Sequence, residues 1–300
     1  MRFTVLGSGS KGNALVVEGA GVRVLVDAGL GPRVFRDRLG ATGLCDLRPR
    51  ALFVTHGHSD HVGHAPEVAE SYNIPTHATD ACAAERAAAG APLFAHRALP
   101  TGAEVRIGSL CVRAFATPHD APGSAGLVFE DGESRLGIVT DLGCVPDHVT
   151  AALRDVDLLY VESNHDVEML RNGPYPAFLK RRCLSNVGHL SNEQCAILLG
   201  RARGSRLRTV VLAHLSEANN TPQAALRVAR RLLDGSGVAL HVAPQREALP
   251  TLEVRKARPA RPPEPVYELA TVGARPRRTG GARGGLGAGP QAQMDLFGFK

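Results

Sequence analysis

The sequence lacks the long apolar runs that mark membrane-spanning and secreted proteins. No run approaches the ~20 apolar residues that a membrane helix needs, and no apolar segment with a cleavage site opens the chain. We therefore expect a cytoplasmic protein without a membrane partner. The six cysteines form no CxxC pair and are too sparse for a disulfide scaffold, so most of them are expected to be reduced, small apolar side chains.

Most of the chain also lacks an excess of charge of either sign. The net charge is +6, and nine basic residues against three acidic ones fall within 255–300. Residues 1–254 are therefore formally neutral, and composition alone predicts no basic DNA-binding groove there. Residues 255–292 are rich in proline, glycine, arginine and alanine and have almost no large apolar side chains, which predicts a disordered basic linker.

Hydrophobic patterning divides residues 1–254 into short strands and amphipathic helices. The predicted strands are Phe3–Leu6, Ala14–Glu18, Val22–Asp27, Ala51–Thr55, Val105–Ile107, Leu110–Ala116, Ala125–Phe129, Arg135–Thr140, Leu158–Glu162 and Arg208–Ala213. The predicted helices are Pro32–Leu39, Pro66–Tyr72, Asp80–Ala88, Pro146–Leu153, Glu193–Arg203 and Pro222–Leu233. This order predicts one α/β domain over residues 1–254, with two sheets and helices outside them.

One glycine-rich segment imitates a nucleotide-binding motif. Gly7-Ser8-Gly9-Ser10-Lys11-Gly12 fits GxGxxG, and Asp27 follows at a suitable spacing. That motif requires a helix directly after the third glycine, whereas residues 13–27 predict strand, turn and strand. We therefore predict a tight turn beside a functional site, with Asp27 supporting a residue of that site.

Four side chains that can bind metal ions lie close together after the strand predicted at Ala51–Thr55. They are His56, His58, Asp60 and His61. Imidazole and carboxylate ligands together suit zinc, manganese or iron. Successive side chains of an extended loop point to opposite sides, so His56 and His58 are expected to face one ion and Asp60 and His61 another.

This segment resembles the HxHxDH signature of the metallo-β-lactamase superfamily, whose fold is an αββα sandwich. The resemblance implies that three residues at predicted strand ends complete a site for two divalent metal ions: His119 at the first ion, Asp141 between the ions and His214 at the second. Two ions held in this way would turn a bridging water into a hydroxide nucleophile near neutral pH. We count Asp60 as catalytic as well as a ligand.

The same resemblance implies a proton donor for the leaving group. In phosphodiesterase branches of the superfamily, a glutamate after the shared aspartate orients a histidine, and Glu162 and His189 match that order. The alternatives are an ordinary carboxylate at a strand end and a histidine that hydrogen-bonds at a helix start. His165 is a candidate ligand or a support for one. Four further histidines are expected to be solvated or hydrogen-bonded without a catalytic role: His64, His96, His148 and His241.

Several segments between residues 7 and 220 look like the WalJ/YycJ-type subfamily of bacterial proteins, among them Gly7–Asn13, Pro118–Ala121 and Leu212–Asn220. That subfamily is associated with 5′-exonuclease activity on double-stranded DNA, so the resemblance implies a metal-dependent nuclease. The run Lys180-Arg181-Arg182 is a candidate for phosphate contacts. Two alternatives stay open: a small-molecule ester or thioester hydrolase with the same metals, such as a lactonase, and a non-enzymatic adaptor.

The last residues, 293–300, contain a second candidate motif. Gln293, Met294, Asp295, Leu296 and Phe297 resemble the short peptide by which bacterial replication and repair proteins bind the β sliding clamp. Adjacent apolar side chains at the end of a flexible linker suit a hydrophobic pocket on a partner. We therefore expect the tail to recruit the enzyme to sites of DNA replication or repair. The alternative is a solvated tail without a partner.

Overall fold

The computed structural model describes residues 1–254. The linker predicted at 255–292 and the peptide predicted at 293–300 lie outside the described residues. No helix in the described part of the chain is both long and apolar enough to cross a membrane.

The strands of residues 1–254 form two seven-stranded sheets. The first sheet contains β1 (Arg2–Gly7), β2 (Ala14–Gly19), β3 (Val22–Val26), β4 (Leu52–Phe53), β5 (Thr76–Ala78), β6 (His96–Ala98) and β14 (Leu249–Glu253). The second contains β7 (Glu104–Ile107), β8 (Leu110–Ala116), β9 (Ala125–Glu130), β10 (Arg135–Val139), β11 (Leu158–Glu162), β12 (Thr209–Ala213) and β13 (Ala239–Val242). Their orders are β14-β1-β2-β3-β4-β5-β6 and β13-β12-β11-β10-β9-β8-β7.

The helices of the described chain vary from one turn to three. They are α1 (Pro32–Ala41), α2 (Ser59–Val62), α3 (Ala65–Tyr72), α4 (Asp80–Ala88), α5 (Asp147–Ala152), α6 (Val167–Asn172), α7 (Ala177–Cys183), α8 (Asn192–Ala202) and α9 (Pro222–Leu233). Side chains of Ser191 and Thr221 accept backbone N–H groups at the starts of α8 and α9. These caps satisfy donors that the first helical turn leaves open.

Three apolar clusters hold the layers together. The central one joins the two sheets and includes Phe3 and Phe53 from the first and Phe129 and Tyr160 from the second. A second cluster lies between the second sheet and helices α5, α8 and α9. The third joins the first sheet to α1 and α3. The layers therefore follow the order helix, sheet, sheet, helix, and the predicted αββα sandwich is confirmed.

Strand β11 shows why the second sheet is buried on both faces. Leu158 and Tyr160 face the central core, whereas Leu159 and Val161 face the helices. Successive side chains of a strand point to opposite faces, so a continuous apolar run serves both layers.

The chain direction of the strands gathers polar residues at one edge. Strands β10, β11 and β12 run parallel, and Asp141, Glu162 and His214 stand at or just after their carboxyl ends. In the first sheet β3 and β4 are parallel and lead to Asp27 and to the segment that begins at Thr55. Open α/β sheets bind ligands at this edge.

Local predictions were wrong at several places. The strand predicted at Ala51–Thr55 is reduced to Leu52–Phe53, because the backbone N–H of Thr55 donates to the Asp27 carboxylate. The segment predicted as an extended loop turns into helix α2, which carries Asp60 and His61. Short elements without clear periodicity were not predicted at all: β5, β6, β13, β14, α6 and α7.

Candidate metal centre

Asp27 anchors the segment that carries the HxHxDH residues. Its carboxylate accepts the backbone N–H of Thr55 at 2.8 Å and the Thr55 hydroxyl at 2.9 Å. Its Oδ2 atom also lies 2.7 Å from Nδ1 of His61, which donates to it. The second ring nitrogen of His61 therefore turns toward the other polar side chains. This is the supporting contact expected of Asp27, and supports of this kind fix ligand orientation in metal sites.

Three histidines from two separate segments of the chain lie close together. Ligand atoms of His56, His58 and His119 all lie within 4.8 Å of one another. Nδ1 of His58 is 3.2 Å from Nε2 of His119, and Nδ1 of His119 donates to the Gly188 carbonyl at 3.0 Å. Each ring thus keeps one nitrogen directed at a common point.

A second group forms beside the first. Ligand atoms of Asp60, His61 and His214 also lie within 4.8 Å of one another. Oδ2 of Asp60 is 3.2 Å from Nε2 of His214 and 3.6 Å from Nε2 of His61. His56 and His58 fall in the first group and Asp60 and His61 in the second, although ligand atoms of His56, His61 and Asp141 also lie within 4.8 Å of one another. The assignment of these pairs to two ions stays a prediction. Asp60 and His61 lie on the turn of α2 and not on an extended loop.

Asp141 lies between the two groups. Its Oδ2 is 3.0 Å from Nε2 of His61, and its Oδ1 is 3.8 Å from Nε2 of His119. Nε2 of His56 is buried and makes no hydrogen bond in residues 1–254. Buried polar atoms normally have partners. A buried imidazole nitrogen without one, within 4.8 Å of ligand atoms of His61 and Asp141, fits a site built for a cation.

The protonation preferences of the first group fit the same interpretation. Burial lowers the pKa of His56, His58 and His119, which keeps the three imidazoles neutral near pH 7. Burial opposes ionisation of Asp141, but the surrounding histidines hold its pKa well below the usual range. Neutral imidazole and ionised carboxylate are the forms that bind metal ions.

In the second group, the pKa shifts favour positive charge where a cation would be bound. Burial opposes the charged form of His61, but Asp141 and Asp27 raise its pKa to about 10. The pKa of His214 is raised well above its usual value, against burial, by Asp141 and Asp60. Burial also opposes ionisation of Asp60, yet the hydrogen bond from His214 lowers its pKa to about 2. Positive charge is therefore strongly favoured here.

Glu162 lies beneath both groups and is fully buried. Its Oε1 accepts Nδ1 of His189 at 2.7 Å and Nδ1 of His214 at 3.2 Å. Its Oε2 accepts the backbone N–H groups of Leu142 at 2.9 Å and Leu190 at 3.0 Å. Burial opposes its ionisation, but the charge and hydrogen bond of His189 lower its pKa to about 2. One carboxylate therefore orients two histidines.

Unusual backbone conformations hold three of these residues in place. Asp27, Asp141 and His214 have φ angles of 58°, 55° and 52°, in the left-handed region that few non-glycine residues adopt. Such conformations cluster at functional sites because the surrounding structure must enforce them. Gly29 permits a close approach, since a Cβ atom there would lie 1.8 Å from the Asp60 carbonyl oxygen.

The glycine-rich segment supports the second group and is followed by a strand, not by a helix. After Gly12 the chain enters β2 at Ala14, as the sequence predicted. Gly9 donates its backbone N–H to Oδ1 of Asn13 at 2.8 Å, and Nδ2 of Asn13 lies 2.8 Å from Nε2 of His61. Ser8 Oγ accepts the backbone N–H of His214 at 2.9 Å.

Sequence reasoning missed some neighbours of the site. Asn13 and Ser8 were assigned only to a turn, and Asp120 received no role of its own. Oδ1 of Asp120 lies 3.4 Å from Nε2 of His119, and its carboxylate accepts two donors of Arg182, at 2.5 and 2.9 Å. Because Asp120 directly follows His119 in the chain, the sequence could have identified it as a neighbour of the site.

The remaining histidines lie apart from both groups. His165 is 1% exposed, and neither ring nitrogen has a hydrogen-bond partner in the described chain. Burial lowers its pKa to about 4, but its nitrogens do not join the converging ligand atoms. His64, His96 and His148 each have a polar neighbour elsewhere.

A cavity of about 260 Å³ opens over the cluster. It is lined by Ser10, His58, Ser59, Asp60, Asp141, Arg182, His189 and His214. Pockets that enclose whole drug-sized ligands usually measure roughly 300–1,000 Å³ and are mainly apolar. This one is smaller and polar, so a substrate bound here projects over the surrounding surface.

Comparison with known proteins agrees with this geometry. The beta-lactamase superfamily domain matches residues 22–215. The chain belongs to the metallo-β-lactamase superfamily. Exodeoxyribonuclease YycJ of Bacillus anthracis is 33% identical over 239 residues, which cover 79% of this chain and 90% of that protein. Exodeoxyribonuclease WalJ of Streptococcus pneumoniae is 31% identical over 228 residues, 75% of this chain and 85% of that one.

Solved structures of the superfamily share the fold at lower identity. The metallo-β-lactamase fold protein YhfI from Bacillus subtilis has a TM-score of 0.63 at 15% identity, covering 83% of this chain and 98% of its own. Zn²⁺-bound PqqB from Methylobacterium extorquens has a TM-score of 0.62 at 18% identity, covering 84% and 100%. The superfamily and its WalJ/YycJ-type branch, both suggested by motifs in the sequence, are confirmed.

Proposed function

We propose that this protein is a metal-dependent exodeoxyribonuclease that hydrolyses phosphodiester bonds of double-stranded DNA from a 5′ end. The observation that carries the proposal is the buried His189–Glu162 pair beside two converging ligand groups, in a chain whose relatives, similar over most of its length, are exodeoxyribonucleases. The small polar cavity supports a polymer substrate over an enclosed small molecule.

Two divalent cations, of zinc, manganese or iron, fit the two ligand groups. We propose His56, His58 and His119 for the first, Asp60, His61 and His214 for the second, and Asp141 for both. Such ions acidify water near neutral pH and neutralise charge that develops on an attacked phosphate. The chain's own contribution is to hold these donors, of which Asp27 orients His61, the Gly188 carbonyl orients His119 and Glu162 orients His214.

His189 is proposed to protonate the leaving oxygen. Its Nδ1 donates to Glu162, so Nε2 is the nitrogen that can exchange a proton with a group in the cavity, which His189 lines. A positioned acid of this type contributes about 10²–10⁴-fold to rate. Arg182, which lines the same cavity and pairs with Asp120, places a cation near the phosphate.

The test is a time course on 5′-labelled and 3′-labelled oligonucleotides, single- and double-stranded, with zinc or manganese added. The wild-type protein is expected to release 5′-terminal products from duplex DNA, and His58→Ala is expected to lose this activity. Equal DNA degradation by His58→Ala would refute the ligand assignment. Activity on generic esters or thioesters, with none on DNA, would establish the small-molecule hydrolase instead, and a metal-loaded protein inert on all substrates would favour an adaptor.

We also propose that Gln293, Met294, Asp295, Leu296 and Phe297 bind the bacterial β sliding clamp. The support is the peptide sequence at the end of a basic segment, since these positions lie outside the described residues. Deletion of residues 293–300 is expected to abolish clamp capture in a pull-down and to leave hydrolysis of short duplexes unchanged. Clamp binding by the shortened protein would refute the proposal.

A further inference from the structure

The cavity over the metal centre is too small to enclose a polynucleotide. At about 260 Å³ it is below the roughly 300–1,000 Å³ of pockets that enclose a ligand. The rest of a polynucleotide must therefore lie on the protein surface next to the cavity. The described chain offers one surface there with both apolar and cationic character.

That surface is helix α7 together with the loop that leads to His189. Large hydrophobic side chains that are exposed in residues 1–254 are few, and three of them fall here: Phe178, Leu184 and Val187, exposed by 66%, 45% and 44%. Exposed apolar side chains mark binding surfaces where they lie together, and these three fall within residues 178–187. An aromatic side chain that is two-thirds exposed is the least expected of the three.

Helix geometry connects Phe178 to the cavity. Within α7, Phe178, Arg181 and Arg182 stand at positions i, i+3 and i+4. Side chains at these spacings share one face, with Cβ atoms about 5–6 Å apart. Arg182 lines the cavity over the metal centre. Phe178 therefore lies one helical turn beyond the cavity edge, on the same face as the arginine.

The charges of this face suit a phosphate backbone. Arg181 is exposed and forms no ion pair with any carboxylate in the described part of the chain. Arg182 is held by Asp120 through Nε and Nη2. Because a guanidinium carries five N–H donors, this pair leaves others for a further anion. Nζ of Lys180 donates to the Arg171 carbonyl at 2.7 Å, so we do not assign Lys180 a phosphate contact.

We propose that Phe178 stacks on a base of the DNA strand while Arg181 and Arg182 contact the adjoining phosphate, next to the bond that is cleaved. The inference rests on the proposed nuclease function and deepens it by naming the surface that holds the polymer. Aromatic side chains beside cations bind single nucleic acid strands in this manner, because every base offers a face for stacking. Such a base must be unpaired, so the strand end is separated from its complement before hydrolysis.

The alternative partner for this surface is a second copy of the chain, which would bind through the exposed apolar side chains. The exposed, unpaired Arg181 favours an anionic partner instead, whereas residues 1–254 of a second copy are formally neutral. A nucleic acid strand supplies apolar base faces and negative charge at once. Charge complementarity therefore favours DNA.

The experiment compares wild type with Phe178→Ala, Phe178→Trp and the control Ile197→Ala. Ile197 is a matched control because its side chain is 51% exposed on α8 and does not line the cavity. Each protein, loaded with the same metal, is assayed for KM and kcat on a labelled oligonucleotide and on bis(4-nitrophenyl) phosphate, which carries a hydrolysable diester but no DNA strand. Sedimentation velocity records the oligomeric state of each.

Loss of stacking in Phe178→Ala is expected to raise the oligonucleotide KM about tenfold, with a smaller change on the short diester. Phe178→Trp is expected to restore the wild-type KM, and Ile197→Ala to match wild type. An unchanged oligonucleotide KM in Phe178→Ala would overturn the inference, as would a change of oligomeric state with equal KM. Wild-type protein that cleaves the short diester but not DNA would instead overturn the proposed nuclease function, and this inference with it.

Discussion

Replacement of Glu162 by glutamine should show whether this carboxylate orients His189 and His214, as distinct from any role in folding. The variant keeps the size of the side chain and removes its charge. Backbone N–H groups of Leu142 and Leu190 both donate to Oε2, so the amide oxygen of glutamine must take that position. The amide NH₂ group is then forced to the position of Oε1, facing Nδ1 of His189 and His214.

The consequence follows from hydrogen-bond chemistry. An NH₂ group can only donate, so Nδ1 of each histidine must give up its proton and accept. His189 then loses the protonated form that serves as an acid, and His214 is left with its proton on Nε2, the nitrogen proposed to bind metal. Loss of a positioned acid costs about 10²–10⁴-fold in rate, and loss of ligand support costs about 10–100-fold in metal affinity.

The assay is kcat on duplex DNA at saturating manganese, together with a metal titration of the variant. We expect kcat to fall at least about 100-fold even when metal is saturating. Glu104→Gln is the control, since Glu104 is an exposed carboxylate on β7 paired with Arg106 and Arg113. A Glu162→Gln protein with near wild-type kcat and metal affinity would refute the role assigned to this residue.

Other perturbations address the support of the second ligand group and the metal itself. Asp27→Asn places a donor against Nδ1 of His61, and should weaken metal binding about 10–100-fold in a calorimetric titration. Gly29→Ala sets a methyl group against the Asp60 carbonyl and should lower the free energy of urea unfolding by about 1–3 kcal/mol. Gly40→Ala is the control, because a Cβ atom there, inside α1, would lie 3.8 Å from its nearest neighbour. It should raise the free energy of unfolding by up to about 1 kcal/mol. Chelation should abolish DNA hydrolysis and lower the melting temperature, since metal at a hundred times its Kd adds about 2.7 kcal/mol; equal melting curves with and without chelator would contradict a folded-state site.

Most of the fold was accessible from sequence because its signals are local. Strand β11 and helix α9 have the predicted boundaries, since a buried apolar run and an amphipathic repeat each determine their own conformation. Edge strands such as β6, with every residue exposed, depend on a neighbouring strand for their hydrogen bonds. Their own side chains carry no pattern that predicts them.

The sequence by itself determined which residues are candidates for the metal centre, since His56, His58, Asp60 and His61 are neighbours in the chain and Asp141 and His214 each follow a predicted strand. Only the tertiary structure decided how those candidates are held. Glu162 contacts His189 and His214 because β11 lies beside β12 and the loop before α8. Arg182 lines the cavity because the end of α7 lies beside it. Contacts between residues far apart in sequence depend on sheet order and register, which no local pattern records.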